Sequence, residues 1–125
     1  MDEKRNVVRW QVVLPVRYLG VSKHIEGACE TQDLSLSGAR LAMVEKHEAG
    51  DQLFVLFDLP EENRSSVRCE AEVVWQDKLH DLEEKHKYIT GIVFTKIRDI
   101  QKSVLLDYVN QYYPELFRQH WWNGL

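Results

Sequence analysis

Two short groups of residues in this sequence have the types and spacing to grip an anionic ligand that carries bases. Arg5 and Arg9 bracket Asn6-Val7-Val8 near the N-terminus. In an extended or loop conformation, two guanidiniums four residues apart can converge on one ligand. Each is a planar fork that bonds phosphate oxygens or the O6/N7 edge of guanine bidentately, and each can also stack on a base. The second group is Asp33-Leu34-Ser35-Leu36-Ser37-Gly38. In a strand Asp33 and Ser35 share a face, because side chains alternate with a period of two. Gly38 then permits a positive φ or a close backbone approach at the strand's end. The carboxylate could accept from guanine N1–H and N2–H₂, and the hydroxyl could bond phosphate or another polar group. Taken singly, the same residues would also serve as two solubilising arginines and an Asp/Ser turn.

Catalytic and metal chemistry find no comparable footing, and no catalytic or metal-ligating residue is expected. Ser37 precedes Gly38 but lacks the upstream glycine of a nucleophile elbow, and its segment reads strand–turn–strand. The histidines at 24, 47, 80, 86 and 120 have no metal-binding spacing. No glycine-rich phosphate loop precedes a helix. Cys29 and Cys69 are too few for a disulfide framework and read as free thiols in a reducing compartment.

Charge narrows the partner. The net charge of −4 argues against a general DNA or RNA binder, which carries a basic face. Residues 1–23 hold five Lys/Arg against Asp2 and Glu3, a local +3 that leaves −7 for the remainder. A basic segment on an acidic body suggests one local anionic ligand. No apolar run approaches the roughly 20 residues of a bilayer-spanning helix, and no signal-peptide pattern opens the chain. The expectation is a cytoplasmic protein without membrane insertion.

The elements that must position these residues are mostly strands. The 125 residues suit a single core. Val67, Cys69, Ala71, Val73 and Trp75 alternate with Arg68, Glu70 and Glu72, giving one apolar and one solvated face. Leu53, Val55, Phe57 and Leu59 form a second stripe with Phe54 and Leu56 opposite, which predicts cover on both sides. Tyr88–Ile97 is rich in β-branched and aromatic residues. Trp10–Tyr18 reads as a strand that Pro15 places at an edge or bulge. Ala28–Leu36 and Ala39–Val44 read as short strands meeting near Ser37-Gly38, and Asp77–Lys87 reads as a solvated loop. Six such strands predict a small antiparallel barrel. Ile97, Ile100, Val104, Tyr108 and Tyr112 then predict a helix of about four turns, with Asp99 as its cap and Pro114 ending it. The tail, with Phe117, Trp121 and Trp122, reads as packing over an open barrel end or as an aromatic anchor for a partner.

The order RxxxR, strand, DxSxxG resembles the PilZ domain family. Leu14-Pro15-Val16-Arg17-Tyr18 is similar to that family's first strand, and Gly38-Ala39-Arg40-Leu41 to the strand after its serine–glycine turn. Gly91-Ile92-Val93-Phe94 is similar to the Gly-x-x-Phe of its last strand, and the likeness runs from about Lys4 to Tyr113. The resemblance implies a mainly β fold, a six-stranded antiparallel β-barrel at 10–97 with a C-terminal α-helix and tail at 98–125. It also implies a flexible ligand-binding loop at 1–9. The implied ligand is cyclic di-GMP, bound singly or as an intercalated pair, with no other cofactor. Arg5 and Arg9 would hold phosphates and guanine edges, Lys4 would add phosphate charge, and Asp33, Ser35 and Gly38 would form the barrel-side wall. The signal would pass to a downstream partner protein, with a homodimer as a further arrangement. The competing readings are a PilZ-fold adaptor that binds protein and no nucleotide, and a small barrel for single-stranded nucleic acid.

Overall fold

The structure, a computed structural model, describes residues 9–22, 24–60, 65–79 and 88–115. Lys4, Arg5, the rest of the 1–8 segment and the aromatic tail from 116 lie outside the described residues. Six strands are present: β1 Pro15–Gly20, β2 Glu26–Leu34, β3 Gly38–Met43, β4 Gln52–Asp58, β5 Ser66–Lys78 and β6 Tyr88–Lys96. All neighbours pair antiparallel, in the closed order β1-β2-β3-β6-β5-β4. The helix α1, Asp99–Tyr112, follows and packs against β5.

Alternation builds the core as expected. Leu53, Val55, Phe57, Val67, Ala71 and Val73 all point inward and are buried. Phe57 is wholly buried and meets Phe94 edge to face, with ring centroids 5.7 Å apart, so the half-buried Gly-x-x-Phe aromatic packs against the core. Full burial of such a ring contributes about 1.5–3 kcal/mol.

Several local expectations are corrected. Closure of the barrel leaves Pro15 no edge to occupy. It opens β1 instead, the strand position where a missing N–H is tolerated. Residues before it are not ladder strand, since Trp10 makes one isolated bridge to Leu34. Phe54 is 48% exposed and Leu56 half-buried, so among the described residues the outer face of β4 is only partly covered. The charged stretch after Gln76 begins as strand, because β5 runs to Lys78. Asp99 is not the helix cap. The cap position is Arg98, without a side-chain cap bond, and Asp99 sits in the first turn as an acidic residue near the positive helix end. The buried helix residues are Leu105, Tyr108 and Val109, while Ile100 and Tyr112 face out. Pro114 does mark the end of the helix, whose C-cap is Tyr113.

Cys29 and Cys69 are free and buried. Burial pushes both thiols up from the ordinary 9.0 to about 12, helped by Glu30 and Glu45 at Cys29 and by Glu70 at Cys69. A thiol held protonated leaves stability intact below about 9 and lets it fall as the pH climbs from there toward about 12. At pH 8 the folded protein should therefore resist a disulfide thiol reagent, and denaturant should release both thiols. Rapid titration of either thiol in folded protein would contradict this packing.

Candidate functional site

Two β-bulges assemble the site. On β2 the pairing shifts between Thr31 and Asp33, so Asp33 stands opposite Arg40 on β3 and not opposite Ala39. On β5 the pairing shifts between Val73 and Trp75, so Trp75 stands opposite Gly91 on β6. Arg40 also pairs with Gly91. One cross-strand row thus reads Asp33, Arg40, Gly91, Trp75. An extra residue in a strand re-aims the side chains beyond it, and bulges do this next to many functional sites.

The row explains why Trp75 departs from its expected place. Strict alternation would send it inward with Val73. The bulge turns it out, 37% exposed, beside the exposed Val74 and Val93. Its indole then lies over Gly91, where an added Cβ would come within 2.4 Å of the ring. A glycine here leaves room for a flat aromatic surface.

At the other end of the row, Asp33 is buried and faces two guanidiniums. Arg40 Nε donates to Asp33 Oδ2 at 2.6 Å, and Arg40 Nη2 reaches the same oxygen. Arg9 Nη1 lies 3.9 Å from that oxygen, with half of its side chain exposed. The isolated Trp10–Leu34 bridge brings Arg9 there, one residue before the contact point.

Between β2 and β3, Ser35 is committed to its own turn. Its Oγ accepts from the Ser37 and Gly38 N–H groups at 3.2 and 3.1 Å, and also donates to the Gly38 carbonyl at 3.2 Å. Serine hydroxyls commonly close turns this way. Gly38 has no positive φ. Its need is close approach, since a Cβ there would stand 2.2 Å from the Ile92 carbonyl oxygen of β6.

These residues line an open cleft of about 300 Å³ that includes Arg9, Asp33, Ser35, Gly38, Arg40 and Trp75. The structure therefore brings together Arg9, Asp33, Ser35 and Gly38 from the sequence-derived set, while Lys4 and Arg5 fall outside the described residues. It adds Arg40 and Trp75, which sequence reasoning did not place in the site. The available signal was Gly91, an isolated glycine within a strand, which marks a bulge or a close approach. The arrangement offers guanidiniums for phosphate or base edges, a buried carboxylate for N–H donors and an aromatic plane for stacking.

The family model for the PilZ domain matches residues 3–111. No curated protein sequence matches the chain. Among solved structures, the chain is similar to the Bacillus subtilis Inhibitor of motility (MotI/DgrA), at 20% identity and a TM-score of 0.70. That likeness covers 91% of this chain and 53% of the other, so the chain spans about half the length of that relative. It is also similar to the PilZ domain with c-di-GMP of YcgR from Escherichia coli, at 10% identity, a TM-score of 0.69, and coverage of 93% and 96%. A third likeness is to the PilZ domain of CeSA from a cellulose-synthesizing bacterium, at 15% identity, a TM-score of 0.56, and coverage of 86% and 96%. At such identities these structures speak for the fold.

Proposed function

Because the chain belongs to the PilZ domain family, a family of cyclic di-GMP receptors, we propose that this protein binds cyclic di-GMP in the Arg9–Asp33–Trp75 cleft. The observation that carries the proposal is the meeting of Arg9 and Asp33, from separate sequence motifs, at the mouth of one cleft. The ligand has two phosphates and two guanines, and the cleft supplies a partner for each kind of group.

Arg9 binds phosphate or a guanine edge, and Arg5 and Lys4 add charge from the segment that leads into it. Asp33 accepts from guanine N1–H and N2–H₂, while Arg40 holds its other side. Trp75 offers its exposed face to a base. Ser35 and Gly38 shape the wall by fixing the β2–β3 turn. On ligand binding the residues that lead into Arg9, with Lys4 and Arg5, fold over the ligand, an ordering switch of a common type. The changed surface then alters docking of a partner protein.

Two measurements bear on this reading. Amide shift mapping with cyclic di-GMP should perturb Asp33, Ser35, Gly38 and Gly91 together with the Trp75 indole N–H. Shifts confined to another face would overturn the site assignment. Separately, Trp75→Ala should weaken binding about fivefold, the low end of the 1–3 kcal/mol typical of base–aromatic stacking, because the ring is partly covered by protein. An unchanged affinity would remove the stacking role.

A further inference from the structure

We propose that Thr31 is a positioning residue for the ligand site, because its hydroxyl sets the register of the segment that carries Arg9. Thr31 is buried on β2, and its Oγ1 accepts from the Leu14 N–H at 2.8 Å and donates to the Val12 carbonyl at 2.5 Å. Its own N–H donates to the Leu14 carbonyl at 3.0 Å. Three residues further along β2, Leu34 exchanges both backbone bonds with Trp10, at 2.7 and 2.9 Å. Between these two anchors the chain tightens, with the Val12 N–H donating to the Trp10 carbonyl at 2.8 Å.

That tight turn makes a continuous ladder impossible between residues 10 and 14, so a side chain takes over where backbone pairing stops. Trp10, Val12 and Leu14 are fully buried, and their packing alone would tolerate sliding only by expelling whole side chains. The hydroxyl adds a directional constraint that apolar packing lacks. Residue for residue, β2 then reads as a clamp. Thr31 holds Val12 and Leu14, Leu34 holds Trp10, and the intervening Asp33 receives Arg9. A slip of one residue in this segment would carry Arg9 away from Asp33.

This inference rests on the cyclic di-GMP reading for its affinity arm only. Thr31→Val keeps the side-chain shape and removes the hydroxyl. It should weaken cyclic di-GMP binding about three- to tenfold, the loss of one or two ordinary hydrogen bonds. Thr31→Ser should restore affinity to within about twofold of wild type, since the hydroxyl returns. In an Arg9→Ala background, Thr31→Val should have almost no further effect, because its influence runs through Arg9. Equal losses in both backgrounds would overturn the positioning role and leave Thr31 a general packing residue. A second measurement needs neither ligand nor variant: the Trp10 and Leu14 amides should exchange hydrogen as slowly as those of β2. Fast exchange at either would also overturn the inference. If wild-type protein bound no cyclic di-GMP, the receptor reading would fail while the exchange result still decided the clamp.

Discussion

Arg9→Ala is expected to weaken cyclic di-GMP binding by about ten- to hundredfold while leaving the melting temperature nearly unchanged. The size follows from a bidentate arginine contact to phosphate or guanine, worth roughly 1–3 kcal/mol, with 1.4 kcal/mol equal to tenfold. The separation of binding from stability follows from where the side chain lies. The guanidinium is half exposed and stands 3.9 Å from Asp33, a loose contact. The buried carboxylate keeps its closer partner, since Arg40 remains on the same oxygen. Titration and thermal melting of the variant beside wild type check both halves. A large fall in melting temperature would show that Arg9 is part of the scaffold. An unchanged affinity would remove it from the site.

The second large effect is expected at Gly38. An alanine there must place its Cβ about 2.2 Å from the Ile92 carbonyl oxygen, far inside van der Waals contact. The obstacle is strand backbone, which cannot rotate away as a side chain can. β3 and β6 pair along this line, with Gly38 opposite Val93 and Ala39 opposite Ile92, so the seam of the barrel must open. Overpacking of this kind costs about 1–3 kcal/mol, or roughly 4–12 °C of melting temperature for a domain of this size. The site should suffer as well, because Ser35 closes its turn on the Gly38 N–H and carbonyl. Calorimetry of Gly38→Ala decides the matter, and a wild-type melting temperature would mean the strands are farther apart than the structure has them.

The contrast between these two motif residues shows what the sequence could convey. The RxxxR and DxSxxG spacings are legible because chemistry restricts their residue types. The six strands and the terminal helix are legible because burial follows periods of two and of about 3.6. Bulges are harder, since one extra residue reverses every later side chain while leaving the composition untouched. Trp75 is the clear instance. Its parity with Val73 points inward, and only the pairing with Gly91 reveals that it faces the cleft. Arg40 is legible in sequence only as a strand residue, because its bond to Asp33 depends on the β2 bulge. Thr31 was unremarkable in sequence, because nothing in a strand pattern says that a hydroxyl will replace ladder bonds. The helix face was partly legible. Tyr108 is buried as expected, yet Ile100 and Tyr112, at the two ends of the apolar stripe, are exposed. A glycine at position 38 fits either a positive φ or a close approach, and the approach of β6 settles it.

The most direct test of the central claim is a calorimetric titration of the purified protein with cyclic di-GMP, with cyclic di-AMP as the parallel ligand. The two share the phosphate ring and differ in the bases, so the comparison isolates what Asp33 and the guanidiniums read. The account predicts saturable binding of cyclic di-GMP, at least about tenfold tighter than cyclic di-AMP, since one lost guanine contact is worth about that much. Folded protein that binds neither ligand, or both equally, would contradict it.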